Sequence, residues 1–175
     1  MKSIIRLLVQ NFERKYNYDA SYLHHINEHS TRASAGALLL NGLSDYIGPN
    51  AEIWAGAALH STRNTDCGPC IQLVIDRALE NKVCPIRLEA ALAENWEDAA
   101  AVGTGYLFSQ ALHSNHKELP NMRTQIVNKF GTQTLIAASY ASLSFQIYPK
   151  LKQALGYDTT CQTLKVGEKT LSYKL

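Results

Sequence analysis

Apolar side chains recur every three or four positions along most of this chain, which is the pattern of amphipathic helices. The pattern is clear at the start, where Ile4, Ile5, Leu8 and Phe12 share one face and polar residues occupy the other. The same spacing predicts helices through most of the remaining sequence. They are expected to begin near the N-terminus and at Asp19, Thr31, Pro49 or Asn50, Cys70, Pro85, Trp96, Asn121, Gly131 and Leu151.

Polar and proline-containing stretches predict where these helices end. Gly48-Pro49-Asn50 predicts a break after a helix over 31–46, and the polar run 61–66 predicts an interruption. The last long helix is expected over 131–148, with Pro149 kinking it or ending it before a short helix over 151–155. Gly156 is expected to end the helical part of the chain.

The C-terminal residues follow a different pattern. Alternating side chains over 163–166 and 169–173, separated by Gly167-Glu168, predict a small β-hairpin. An isolated hairpin is only marginally stable, so it is expected to pack on the helices or on another chain. The sequence therefore predicts one all-α domain over residues 1–175, a helical bundle with a small C-terminal hairpin.

Composition and charge narrow the function classes. With 175 residues, 46% hydrophobic and 18% charged, the chain suits a single globular domain with a real core. A net charge of +2 is too weak to indicate nucleic-acid binding. No apolar run approaches the roughly 20 residues that span a bilayer, and Arg6 interrupts any signal-peptide-like segment. We therefore expect a cytoplasmic protein that binds neither membrane nor nucleic acid.

Four cysteines are present, and two of them, Cys67 and Cys70, lie three residues apart. In a reducing compartment such a close pair favours redox chemistry or metal binding over a structural cross-link. At the start of a helix, unpaired N–H groups and the positive dipole end favour a thiolate. The isolated Cys84 and Cys161 are interpreted as ordinary small apolar residues.

The neighbours of the pair agree with a helix start. Pro69 suits a first turn, because N–H groups there have no partner within the helix, and Gly68 lets another backbone or a substrate come close. Thr65 or Asp66 is predicted to cap the helix. Thioredoxins carry the same Gly-Pro dipeptide between cysteines, but they place a strand before it, and the residues before Cys67 are helical and then polar.

Two other interpretations of the pair stay open. Structural zinc needs four ligands, and the sequence has no second close pair, so His60 and Cys84 would complete a site only if the fold brought them together. We therefore expect no metal and no cofactor. The pair can also be two buried thiols on a core helix without chemistry.

A CxxC motif that opens a helix, follows another helix and lies in an all-helical chain resembles the alkylhydroperoxidase D-like family, also called carboxymuconolactone decarboxylase-like. The resemblance is carried by residues 55–74, with the core Asp-Cys-Gly-Pro-Cys-x-Gln-Leu-Val that is typical of uncharacterised bacterial members. It extends from the segment 16–23 to the segment 148–156. The resemblance implies homo-oligomers of helical subunits that reduce peroxides or take part in thiol relays.

The resemblance also implies a proton relay made by a glutamate on the preceding helix and a histidine four residues after the second cysteine. This chain has Ala55 and Val74 at those positions, and neither can carry a proton. Other candidates are Glu52, one turn before Ala55, and His60, whose near-neutral titration suits acid–base work. Each has an ordinary structural interpretation as well, as a solvated glutamate and as a histidine interacting with a helix end.

We therefore expect a thiol–disulfide redox protein, with Cys67, Cys70, His60 and Glu52 as candidate catalytic residues. Its partner would be a small-molecule peroxide or a dithiol or disulfide. Helix position favours Cys67 as the more acidic thiol and the resemblance favours Cys70, so the order of attack stays open. The alternatives are a non-catalytic oligomeric module of the same fold and a lyase of the carboxymuconolactone decarboxylase type, which works without a cysteine pair.

Overall fold

The computed structural model describes residues 1–65, 67–157 and 163–172, which are mostly helical. None of the described helices is both long enough and apolar enough to cross a bilayer. In chain order the helices and strands are α1 (Lys2–Tyr16), α2 (Ser21–His29), α3 (Thr31–Ser44), α4 (Ala51–Arg63), α5 (Gly68–Glu80), α6 (Pro85–Leu92), α7 (Trp96–His113), α8 (Leu119–Phe130), α9 (Thr132–Ser144), α10 (Ile147–Ala154), β1 (Thr163–Val166) and β2 (Lys169–Ser172).

Helix α4 forms the centre of the larger core, and every residue from Ile53 to Thr62 is buried. It packs on α5, α7 and α9. The contact with α7 is very close, because Gly56 lies against the Val102 carbonyl of α7 and Gly105 of α7 lies against the Ile53 backbone. Such an approach requires glycine at both positions, since there is no room for a Cβ atom.

The predicted interruption over 61–66 is wrong in its first half, because α4 continues to Arg63. Ser61 and Thr62 are polar in sequence but fully buried. The Ser61 hydroxyl donates to the carbonyl of Ser142 on α9, and the Thr62 hydroxyl donates to the Ala58 carbonyl one turn earlier. Hydroxyls that find backbone acceptors in this way can be buried inside a helix at little cost.

The predicted helix over 131–148 is also wrong in its extent. Helix α9 ends at Ser144, and α10 begins at Ile147 with Pro149 as its third residue. A proline in the first turn of a helix loses no intrahelical hydrogen bond, whereas the same proline would break the ladder of a longer helix. The chain therefore breaks before Pro149 instead of at it.

A second, smaller core lies where α1, α2 and α10 meet the start of α5. Its buried residues include Tyr18, Tyr22, Cys67 and Cys70. Asp19 lies two residues before Ser21, the first residue of α2, and its carboxylate accepts from the backbone N–H of Ser21, while Ala20 is the N-cap residue. The cysteine pair therefore belongs to this smaller core, at the start of the helix that follows α4 in the chain.

The predicted hairpin is confirmed over its described residues. Strands β1 and β2 are antiparallel, and Leu164 pairs with Leu171 across the Gly167 turn. Leu164 and Val166 are buried in the larger core. The Gln72 side chain of α5 binds both the N–H and the carbonyl of Lys165, at 2.7 and 3.0 Å. The hairpin thus packs on the helices, as the instability of an isolated hairpin requires.

Candidate functional site

Cys67 and Cys70 form a disulfide at the start of α5. Cys67 is the N-cap residue and Cys70 is the third residue of the helix, so their Cα atoms are 5.2 Å apart. Both residues are buried, with 7% and 5% of their surface exposed. The predicted placement of a bondable pair at a helix start is confirmed.

The prediction that Thr65 caps this helix is wrong. The Thr65 hydroxyl donates to the Thr62 carbonyl and so satisfies the end of α4. The N-cap of α5 is Cys67, which makes no side-chain capping bond, and the Cys67 carbonyl accepts from the N–H groups of Cys70 and Ile71. The other predicted cap, Asp66, lies outside the described residues, as does Cys161.

The hydroxyl of a tyrosine, Tyr18, contacts the Cys70 sulfur of the disulfide. Tyr18 follows α1, where Asn17 adopts a left-handed conformation with φ 47° that turns the chain back. This places the Tyr18 hydroxyl 3.6 Å from Cys70 Sγ, with both residues buried. Burial raises the pKa of Tyr18 to about 12. Tyr18 therefore keeps its proton at neutral pH and can act as a hydrogen-bond donor.

A cavity of about 490 Å³ leads to Cys70. The described residues that line this cavity include Cys70 but not Cys67. Its lining is mostly apolar and aromatic, and the rim includes Lys15 and Glu80, whose side chains are half exposed. The other side chains that line the cavity include Val9, Phe12, Tyr18, Tyr22, Leu38, Thr62, Leu73 and Tyr148.

Charges at the rim are balanced in pairs. Lys15 Nζ lies 3.0 Å from Oε2 of Glu80, and Arg77 Nη2 lies 2.5 Å from Oδ1 of Asp45. The hydroxyl of Tyr16 also donates to Glu80, at 2.9 Å. Paired charges at an exposed rim leave little net field. The entrance therefore favours neither anions nor cations strongly, and its apolar walls suit an uncharged organic molecule or the uncharged part of a larger one.

His60 lies in a separate polar cluster formed by α4 and α7. Its Nδ1 is 2.9 Å from the Ser109 hydroxyl, and its ring packs edge-to-face on Tyr106. Burial, followed by the nearby His113 and Arg63, lowers the pKa of His60 to about 4, below the near-neutral range expected from the sequence. His60 is not among the described residues that line the Cys70 cavity. Its catalytic role stays a prediction.

A pH-dependent loss of stability is expected from His60. Its pKa is about 4 in the folded protein and about 6.5 in the unfolded chain, so the unfolded state binds the extra proton first. Acidification from about pH 7 to pH 4 should lower the free energy of unfolding by up to about 3 kcal/mol through this residue. Urea unfolding of the wild type and of His60→Gln at several pH values measures the difference. An equal pH slope in both proteins would show that His60 is not responsible.

Glu52 is held by an ion pair on the outer side of α4. Both of its carboxylate oxygens accept from Arg87 Nη1 of α6, at 2.5 and 2.6 Å. It too is absent from the described lining of the cavity. Glu52 therefore joins α4 to α6 through its ion pair with Arg87. Its role as a proton carrier stays a prediction.

The described residues contain no group of three or more histidine, cysteine, aspartate and glutamate side chains that could hold a metal ion. Cys84, which the sequence offered as a metal ligand together with His60, is a partly buried free thiol at the N-cap of α6. Two parts of the site, Tyr18 and the cavity, were not predicted from the sequence. The only signal for them was the unusual density of tyrosines at positions 16, 18 and 22.

Comparisons with family models, curated proteins and solved structures found no match to this chain. The alkylhydroperoxidase D-like family assignment and the homo-oligomeric assembly that it implies therefore stay predictions. The features of this chain that bear on its function are the disulfide, the tyrosine beside it and the cavity.

Proposed function

We propose that this protein is a thiol–disulfide oxidoreductase in which Cys70 reacts with a small molecule that enters the cavity and Cys67 resolves the product. The observation that carries the proposal is that Cys70 belongs to a disulfide and also lines a cavity with a partly exposed rim. A purely structural cross-link has no need of such a cavity. The resemblance to the alkylhydroperoxidase D-like family points to the same chemistry.

The peroxide reaction uses each sulfur once. The Cys70 thiolate attacks the peroxide R–O–O–H, an S–O bond forms, the O–O bond breaks, and the alkoxide leaves and takes a proton. The Cys67 thiolate then attacks the resulting sulfenic acid, forming the disulfide and releasing hydroxide, which becomes water on protonation. Two electrons pass from the sulfurs to the peroxide. The products are the alcohol, water and the observed disulfide.

A dithiol reductant closes the cycle. Its thiolate attacks one sulfur of the disulfide, its second thiol resolves the mixed disulfide, and the protein returns to the dithiol form while the reductant becomes a disulfide. Cys70 is the sulfur that such a reductant meets in the cavity. If peroxide is not the oxidant, a disulfide that enters the cavity can accept the same two electrons.

The test uses the purified full-length protein. After reduction with dithiothreitol and removal of the reductant, one equivalent of tert-butyl hydroperoxide should restore the disulfide within seconds, seen as the loss of two hydrogens by intact mass. Peroxide consumption should continue when dithiothreitol is supplied. If the reduced pair reacts with peroxide and with small disulfides no faster than free cysteine, the proposal is wrong and the disulfide belongs to a non-catalytic helical module.

Access to Cys70 can be tested with a matched pair of variants on α3. Leu38 lines the cavity, whereas its neighbour Leu39 is 80% exposed and does not. Leu38→Trp adds bulk inside the cavity, so we expect alkylation of reduced Cys70 by N-ethylmaleimide to slow about tenfold, because accessibility limits thiol reactivity. Leu39→Trp adds the same bulk in solvent and should leave the rate unchanged. Equal rates in the two variants would mean that reactants reach Cys70 by another route.

A further inference from the structure

The hydrogen bond between Tyr18 and Cys70 has a defined direction. A disulfide sulfur carries no proton, so the Tyr18 hydroxyl must be the donor across the 3.6 Å to Cys70 Sγ. Tyr18 is 6% exposed and Cys70 is 5% exposed, so water competes little for this hydroxyl. The donor is therefore already aimed at the atom that becomes negatively charged when the disulfide is reduced.

A second tyrosine holds the first in this orientation. Tyr22 of α2 is 2% exposed, and its hydroxyl is hydrogen-bonded to that of Tyr18. Since the Tyr18 proton faces the sulfur, Tyr22 donates to the Tyr18 oxygen. Hydroxyls bonded in series polarise one another, which strengthens the final bond to the sulfur.

The charged groups around this pair are compatible with a negative sulfur. Lys152 of α10 is 1% exposed, and its Nζ lies 5.1 Å from the centre of the Tyr18 ring. The same Nζ donates to the Asp19 carbonyl and lies 3.9 Å from the Asp19 carboxylate. A buried ammonium favours an anion nearby, because the low local dielectric weakens screening.

The other titratable groups of the cavity do not oppose it. Tyr148 of α10 donates its hydroxyl to the Ala37 carbonyl, 2.9 Å away. The carboxylates of Glu80 on α5 and Asp45 after α3 are each paired with a cation at the rim, Lys15 and Arg77 respectively. No unpaired carboxylate therefore faces Cys70 among the described residues that line the cavity.

We propose that Tyr18 is a catalytic residue of this site, whose hydroxyl donates a hydrogen bond to Cys70 in the disulfide and keeps donating it to the thiolate formed on reduction. This rests on the proposed function, in which Cys70 is the attacking sulfur. When a dithiol reduces the disulfide, the S–S bond breaks and two electrons enter. One thiol proton goes to Cys67 and the other to solvent, so Cys70 remains as the thiolate that Tyr18 stabilises.

Tyr18 donates a hydrogen bond to Cys70 Sγ but keeps its proton, so its role differs from the proton relay that the resemblance implies. Ala55 and Val74 occupy the positions where the resemblance implies a glutamate and a histidine, and neither side chain can donate. Tyr18 supplies a donor from a different element, after α1. Because burial raises the pKa of Tyr18 to about 12, it does not ionise near neutral pH and so does not repel the thiolate.

The test compares the thiol pKa of Cys70 in two backgrounds. In full-length Cys67→Ser protein, the rate of iodoacetamide alkylation of Cys70 is followed against pH by peptide mass spectrometry. Adding Tyr18→Phe should raise the pKa of Cys70 by about 1, since a hydrogen bond to a charged group contributes roughly that much. Tyr157 belongs to the same apolar cluster but lies outside the described cavity lining, so Tyr157→Phe should leave the pKa of Cys70 unchanged. As an internal control, the alkylation rate of Cys84 should be the same in every variant.

A second variant moves the pKa in the opposite direction. Placing 3-fluorotyrosine at position 18 keeps the ring and hydroxyl but makes the hydroxyl a stronger donor, so the pKa of Cys70 should fall below that of the Cys67→Ser protein. This variant also decides the matter if Tyr18→Phe does not fold. An unchanged pKa of Cys70 in either variant would overturn the proposal for Tyr18.

The two proposals fail in different ways. If the wild-type dithiol reacts with neither peroxide nor small disulfides, the redox function is wrong, yet the pKa comparison still reports whether Tyr18 stabilises the thiolate. If the wild type turns over but the Tyr18 variants leave the pKa of Cys70 unchanged, the redox function stands and only the role of Tyr18 is lost.

Discussion

Cys70→Ser should abolish peroxide turnover, lowering the rate by about a thousandfold or more, to the background without protein. Serine keeps the shape of the side chain, but its hydroxyl is not ionised near neutral pH and cannot replace a thiolate. The remaining Cys67 does not line the cavity among the described residues, so it should not take over the first step. Peroxide consumption with dithiothreitol as reductant measures the loss.

Cys67→Ser is the matched control for this prediction. Without added reductant it should consume one equivalent of peroxide at Cys70 and stop at the sulfenic acid, because Cys70 is oxidised but has no protein thiol to resolve it. Intact mass should then show the addition of one oxygen atom, trapped by dimedone as a sulfenic acid adduct. The reverse result, with single oxidation in Cys70→Ser and none in Cys67→Ser, would assign the attack to Cys67 and contradict the order derived from the cavity.

The local parts of this structure could be predicted from the sequence because they depend on nearby residues. Helical periodicity located the helices, since an apolar face repeats within a few positions. The β-hairpin was visible from alternation around Gly167-Glu168. The bond between Cys67 and Cys70 was predictable because a separation of three residues at a helix start fixes their distance within narrow limits.

The site around the disulfide could not be predicted, because its parts are distant in sequence. Tyr18 and Cys70 are 52 residues apart, and Lys152 comes from the opposite end of the described chain. No spacing rule joins α1, α5 and α10. The cavity between them is a property of packing, which depends on all of its walls at once.

The two errors in helix extent have the same origin. The run beginning at Ser61 looks like a surface loop because its residues are polar, but buried hydroxyls that bond to backbone acceptors fit inside α4. Pro149 looks like a terminator, but it lies in the first turn of α10. The end of α4 depends on which backbone acceptors lie beside its hydroxyls, and the start of α10 depends on where the preceding helix ends. Neither can be read from a single sequence.

The candidate proton carriers show why residue type alone is weak evidence. His60 has the side chain that active sites use, but burial lowers its pKa and Ser109 binds its ring. Glu52 is bound by Arg87, 35 residues away. Tyrosine, which sequence analysis did not consider for this role, is the residue that contacts the sulfur. Contact with Cys70 Sγ selects it as the candidate, and its burial among apolar residues explains why no polar pattern marked it.

Gly56→Ala should destabilise the protein by about 3 kcal/mol or more, a large fraction of the stability of a typical domain. A Cβ atom at this position would collide with the Val102 carbonyl and lie 2.7 Å from the backbone nitrogen of Tyr106. Both atoms belong to the backbone of α7, so no side-chain rotation can relieve the overlap, and α4 and α7 would have to separate. The gain in helix propensity of about 1 kcal/mol does not offset this cost.

Gly36→Ala is the matched control, because Gly36 also lies within a helix but a Cβ there meets no atom within 4 Å. It should stabilise the protein by about 0.5 to 1 kcal/mol, since alanine loses less conformational entropy than glycine on forming a helix. Urea unfolding followed by circular dichroism measures both variants. If Gly56→Ala unfolds at the same urea concentration as the wild type, α4 and α7 do not approach as closely as described. The buried α4 segment that leads to the cysteine pair would then not depend on this helix contact for its position.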